Sequence, residues 1–227
     1  MPRRGDRRQR RLVLARQFTN QPAGPCLRAF SSLNPIAKDE IDRFMREHEP
    51  EPEHVLQVAR LAVDLFYQLS GLHGLGAAER EWLEAASLLH DIGWSVVPDG
   101  KGHHKESARL IMSFEWLALG RREAAIIAQI ARYHRKSLPD PSHEEFMALA
   151  EADRQIVEKL AGVLRIADGL DRQHLAKAAA VQVTCGDVVV AVTVAGACDL
   201  SEELAAAAQK SDLAERVFGR RFAFAAA

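Results

Sequence analysis

The stretch Leu88-Leu89-His90-Asp91-Ile92-Gly93 decides how this chain reads. Ahead of it, Trp82, Leu83, Ala86 and Leu89 recur at helical spacing, so a buried helix runs from about Ala77 to His90. Behind it, Gly93, Pro98, Gly100 and Gly102 mark a loop. Neighbouring helical residues project about 100° apart, so His90 and Asp91 rarely face one partner from mid-helix. At a helix end the backbone turns, and an imidazole and a carboxylate can then meet one cation. Such a pair suits Mn, Fe, Zn, Co or Ni, and Mg less well.

Outward from this point the pattern stays helical. Upstream, Ile41 and Phe44 belong to a short helix that Glu49-Pro50-Glu51-Pro52 ends. Val55, Val58, Leu61, Ala62, Leu65, Phe66 and Leu69 form the apolar face of a second helix, which Gly71 and Gly74 close. Downstream, the spacing predicts helices over Ser107 to Met112, Arg121 to Tyr133 and Asp153 to Leu170. The period then changes. Val181 to Cys185 and Val188 to Val194 are β-branched runs joined by Gly186-Asp187, a hairpin signal. One helix from about Leu200 to Val217 and a short strand near Arg221 to Phe224 follow. The expected fold is mainly α, a helical bundle with a small C-terminal α+β appendage of β-hairpin plus helix.

Composition sets broad limits. The 227 residues suffice for a substantial core without disulfides. Lys and Arg total 30 against 31 Asp and Glu, so global charge does not call for a nucleic-acid partner. No apolar run approaches the roughly 20 residues of a bilayer span. Cys26, Cys185 and Cys198 are sparse and form no C-x-x-C pair, which fits a reduced, cytoplasmic protein. Residues 1–36 read as a disordered basic tail, rich in Arg at the start and then in Gln, Pro, Gly and Ser. The expected partition is therefore 1–36 tail, 37–178 helical domain and 179–227 α+β subdomain.

Other candidate ligands sit at comparable places. His54 opens the second helix, His103-His104-Lys105 follows the glycine loop, His134 ends the Arg121 helix, and Asp168 lies near the end of the long helix. Each has an ordinary alternative. A single His at a helix end usually compensates the helix dipole. Asp168 has Arg165 and Arg172 at ion-pairing spacing. His48, His73, His143 and His174 read as surface or structural. The ordered set, each member at the end of an apolar helix, is harder to obtain by chance, and bundles build metal sites at such convergences.

The order His54, His90-Asp91, Asp168 resembles the HD superfamily of metal-dependent phosphohydrolases. A finer resemblance is to the C-terminal region of the exopolyphosphatase and guanosine pentaphosphate phosphohydrolase (Ppx/GppA) family. Its carriers are Leu88 to Gly93, Gly102 to Lys105, Ala131 to Lys136, Ser142 to Phe146 and Leu164 to Arg172, with Lys210 to Leu213 and Val217 to Arg221. The likeness spans roughly Ile41 to the C-terminus. Full-length members carry an N-terminal actin-like module with the exopolyphosphatase active site, for which this chain has no room, so that activity is not expected here.

The resemblance implies an HD-type bundle holding one or two divalent ions (Mn, Fe, Mg, Zn, Co or Ni). His54, His90, Asp91 and Asp168 would hold the first, with His90 and Asp91 as the catalytic pair. His104 and His134 would hold the second, with Asp91 bridging. His103 is the alternative to His104, which is preferred for its place beside Lys105. Lys105, Arg135 and Lys136 would meet phosphate oxygens, while Arg165, Asp171 and Arg172 would support the ligands. The implied substrate is a phosphate ester or anhydride, a nucleotide or polyphosphate. The alternative is a non-catalytic nucleotide- or polyphosphate-binding module. Neither a membrane nor a specific nucleic acid is an expected partner, and a homodimer stays open. Deleting residues 1–32 is expected to leave the melting temperature nearly unchanged, because that stretch offers few apolar residues at any regular period. A large drop in a thermal melt would mean that it packs on the body.

Overall fold

Proline and glycine set most of the boundaries. The computed structural model describes residues 35–97, 99–196 and 199–227. Most of the basic tail, Cys26 and Cys198 lie outside the described residues. Helix α1 (Pro35–His48) starts ahead of the expected boundary at residue 37. Helix α2 (Pro52–Gln68) carries Pro in its first turn, where the missing N–H is no loss. A single-turn α3 (Ser70–His73) ends on Gly74 at φ 63°. Helix α4 (Ala77–Leu89) is opened by Glu79, whose carboxylate accepts the Gly76 N–H at 2.8 Å. A 3-10 turn at Ile92–Ser95 follows directly on His90-Asp91.

Helix α5 (His103–Ser113) begins four residues before the expected Ser107. Gly102, at φ 84°, turns the chain, so His103 and His104 lie in the first turn of a helix and not in a loop. Helix α6 (Arg121–Arg132), the single-turn α7 (Glu144–Met147) and α8 (Glu151–Gly169) complete the helical body. Val157, Leu160, Leu164 and Ile166 of α8 are fully buried, as are Leu83 and Leu89 of α4 and Ile127 and Ile130 of α6.

The C-terminal part is α+β, as expected. Strands β1 (Ala178–Cys185) and β2 (Val189–Gly196) form an antiparallel hairpin that pairs Val181 with Val194 and Cys185 with Val190. The single helix expected over Leu200 to Val217 is two, α9 (Ser201–Lys210) and α10 (Asp212–Phe218). They break at Ser211, whose hydroxyl donates to the Ala208 carbonyl at 2.8 Å. Strand β3 (Arg221–Ala226) then lies parallel to β2, with Val190 opposite Phe222. Among the described residues no helix is long and apolar enough to cross a membrane.

Two glycines decide how closely the layers approach. A Cβ on Gly93 would stand 2.1 Å from the His103 carbonyl oxygen, so only Gly allows the start of α5 to press on the His90-Asp91 turn. The Gly93 N–H also donates to Ser107 Oγ at 2.9 Å. A Cβ on Gly169 would stand 2.7 Å from the Ala207 Cα, where α9 crosses the end of α8. Gly to Ala within a helix normally stabilises by about 0.5–1 kcal/mol. Here the backbone collision outweighs that gain, so Gly169→Ala is expected to cost about 1–3 kcal/mol as an overpacked contact. Urea or thermal unfolding measures this. A stabilised variant would show that α9 yields without cost.

Candidate metal centre

Four imidazoles converge on two carboxylates, and their tautomers are set by what stands behind each ring. His90 Nδ1 donates to the Ser87 carbonyl at 2.8 Å, His103 Nδ1 to Gly100 at 2.9 Å and His134 Nδ1 to Ala131 at 2.7 Å. Each acceptor lies three residues earlier, so the end of a helix or turn supplies it locally. A carbonyl cannot donate, so Nδ1 carries the proton and Nε2 presents a lone pair. In His54, Nδ1 bonds to Asp171 Oδ2 at 2.8 Å, which likewise turns Nε2 inward.

The inward atoms face one another. His54 Nε2 is 3.6 Å from Asp168 Oδ1, and His90 Nε2 is 3.6 Å from Asp91 Oδ2. His103 Nε2 and His134 Nε2 approach Asp91 Oδ1 at 3.1 and 3.4 Å. His54, His90, Asp91, His103, His134 and Asp168 are all buried. His54 Nε2, His90 Nε2 and Asp91 Oδ1 make no hydrogen bond. Buried polar atoms left without a hydrogen bond are costly unless another group or ion meets them. The ligand atoms of His54, His90 and Asp168, and of His90, Asp91 and His134, lie within 4.8 Å of each other in each group. Two donors each about 2.1 Å from one ion are at most about 4.2 Å apart, so these spacings suit a shared ion after small adjustment. Mixed imidazole and carboxylate donors suit a divalent transition metal.

Charge in the cluster is strongly perturbed. Burial alone would raise the Asp91 carboxyl, but His90, His103 and His134 hold it well below the usual carboxylate range. Burial also opposes ionisation of Asp168, and Lys210 and His54 outweigh it. Burial would lower His54, yet Asp168 and Asp171 push it up to about 10. Burial lowers both His90 and His134. Glu49, buried at the end of α1, is pushed up to about 7, mainly by burial.

The sequence matches domain III of the Ppx/GppA phosphatases over residues 36–198. The chain belongs to the Ppx/GppA phosphatase family. No curated relative matches the sequence. Within this Ppx/GppA domain several expected assignments need correction. His103, and not His104, reaches Asp91. His104 lies to the side, its ring 6.3 Å from that of His134, and it is pushed down to about 4 by burial, His103 and Arg135. At about 100° per residue, His103 and His104 cannot both face Asp91 from the first turn of α5. Lys105 is also misplaced by the sequence reading. It lines a separate groove between α5 and α6, whereas Arg135 and Lys136 line the cavity of about 590 Å³ beside Asp91 and Asp168. Arg165 does not support Asp168. Its guanidinium bonds Asp212 at 2.9 and 3.0 Å and the Tyr133 carbonyl at 3.1 Å. Asp171 does stand behind His54, and Arg172 lines the cavity.

Three contributors were missed. Lys210 of α9 pairs with Asp168, and the only sequence hint was its place in the Lys210 to Leu213 motif. His174, held at φ 57°, stacks on His54 with ring centroids 3.7 Å apart. Trp94 stacks on His103 at 4.6 Å. His73 and His143 are structural as expected, bonding the Phe66 carbonyl and the Tyr133 hydroxyl. His103→Ala is expected to lower divalent-ion content, read by elemental analysis, while His104→Ala leaves it unchanged. The reverse pattern would restore His104 to the ligand set.

Proposed function

We propose that this chain is a divalent-metal-dependent phosphohydrolase of the HD type, acting on a phosphate ester or anhydride such as a nucleotide or polyphosphate. The observation that carries this reading is the convergence of the buried atoms His54 Nε2, His90 Nε2 and Asp91 Oδ1, none of them hydrogen-bonded, at the spacing of shared metal ligands. His54, His90, Asp91 and Asp168 would hold one ion. His103 and His134, sharing Asp91, offer a place for a second. A divalent ion bound there would acidify a coordinated water and neutralise phosphate charge.

The chain's own residues supply the rest. Asp171 fixes the ring of His54, and the three backbone carbonyls fix the other imidazoles, so the donors are set before any ion arrives. Arg135, Lys136, Arg172 and Lys210 bring positive charge to the same cavity, where phosphate oxygens would accept hydrogen bonds. Arg135 Nη1 donates to His103 Nε2 at 3.2 Å, so an ion bound by His103 would displace this guanidinium bond and free Arg135 for phosphate. Trp94 and His174 also line this cavity.

The pH dependence follows from His54, whose raised value near 10 means that it holds a proton at neutral pH in the metal-free chain. An ion must displace that proton from Nε2, so affinity rises as pH rises and binding at pH 7 releases a proton. Calorimetry in buffers of different ionisation enthalpy reads this release. Asp91→Ala is expected to abolish both metal binding and hydrolysis across a panel of nucleotides, phosphomonoesters and polyphosphate. A fully metallated Asp91→Ala protein would refute the site. Metallated wild type inert on the whole panel would favour the binding-module reading.

A further inference from the structure

The two ion places of the proposed centre differ in what already engages their donor atoms. At the first, His54 Nε2 and His90 Nε2 make no hydrogen bond. At the second, His103 Nε2 accepts a hydrogen bond from Arg135 Nη1 at 3.2 Å. A guanidinium keeps its protons at any ordinary pH, so it can only donate. His103 Nδ1 donates to the Gly100 carbonyl, which leaves Nε2 as the single lone pair of that ring. One lone pair serves one partner, so Arg135 and an ion exclude each other at His103.

Which of the two side chains yields follows from what fixes each. The His103 ring is buried, tied through Nδ1 and stacked on Trp94 at 4.6 Å, so it cannot turn away. Arg135 is a long, half-buried side chain just beyond the end of α6, and it makes no ion pair among the described residues. It already lines the cavity together with Asp91, Lys136 and Arg172, so rotation of the side chain suffices to turn it from His103. A guanidinium without a carboxylate partner is matched to a phosphate group, which accepts its N–H donors in pairs.

We infer that Arg135 guards the second ion place and couples it to phosphate. This rests on the metal-centre reading above: the chain holds one ion until a phosphate group draws Arg135 off His103, and the second ion and the phosphate then bind together. Such coupling is reciprocal, so each ligand strengthens the other by the same factor. The neighbouring cations have different parts. Lys136 brings positive charge to the same cavity but bonds to no donor atom of the cluster. Lys210 pairs with one oxygen of Asp168 while the other faces His54 Nε2 at 3.6 Å, so Lys210 need not leave when an ion binds.

The test measures manganese(II) binding to the full chain by equilibrium dialysis, with and without inorganic phosphate. The wild type is expected to bind one ion tightly by itself, and to bind a second at least roughly tenfold more tightly once phosphate is present. Arg135→Met is expected to bind the second ion about tenfold more tightly without phosphate, the worth of one charge-assisted hydrogen bond, and to lose most of the phosphate effect. Lys136→Met is expected to shift the second ion far less, which separates a bond at the donor atom from charge in the cavity. An Arg135 that served only the packing of the site would move the other way, with weaker ion binding in Arg135→Met. Three further outcomes would overturn the inference: equal affinity for both ions without phosphate, no effect of phosphate on the second ion, or Arg135→Met binding it no better than Lys136→Met. Each of these leaves the metal-centre reading standing. A chain that bound no manganese under either condition would remove that reading, and this inference with it.

Discussion

A bond from a histidine Nδ1 to the carbonyl three residues earlier recurs at His90, His103 and His134. It is a local contact, closed within one turn, yet it governs the whole centre. It fixes the tautomer, holds the ring in one orientation and leaves Nε2 as a lone pair. The three rings come from the ends of α4 and α6 and the start of α5. Burying them together creates an electrostatic conflict that protein groups alone relieve only partly. Asp171 behind His54 and Lys210 against Asp168 carry the remaining compensation. The fold therefore buries a set of polar groups whose mutual repulsion a bound cation would relieve.

Close backbone approach makes the convergence possible. Gly93 admits the start of α5, and with it His103, to the turn that carries His90 and Asp91. Gly169, directly after Asp168, admits α9, and with it Lys210. The C-terminal α+β part is therefore more than an addition to the bundle. Its helix α9 forms one wall of the cavity, and its parallel β2–β3 pairing returns the chain to the sheet beyond α9 and α10. The same helices offer two different faces. The side of α5 and α6 facing the core contributes His103 and His134 to the histidine–aspartate cluster, and the side facing out lines a groove that carries Lys105, Arg109, Arg121 and Arg122. Charge beside a ligand in sequence thus need not be charge beside it in space, and Lys105 is the clear case.

The sequence by itself determined the main elements and pointed to most of the residues that the fold brings together. Apolar residues at 3.6-residue spacing, Pro at helix starts, Gly at turns and a β-branched hairpin are local signals, and they gave the long helices and the hairpin but not the start of α5 or the break between α9 and α10. His54, His90, Asp91, His134 and Asp168 were legible because each stands at the end of a long apolar helix. Tertiary structure decided the rest. The choice of His103 over His104 depends on the phase of α5 at its first turn, which Gly102 and the Gly93 contact set together. Arg165 turned from Asp168 to Asp212 because α10 packs beside α8, a contact between residues 47 apart. Lys210 and His174 joined the centre for the same reason. Helical periodicity tells which face of an element is buried, but the partner waiting on that face is fixed only when distant segments pack.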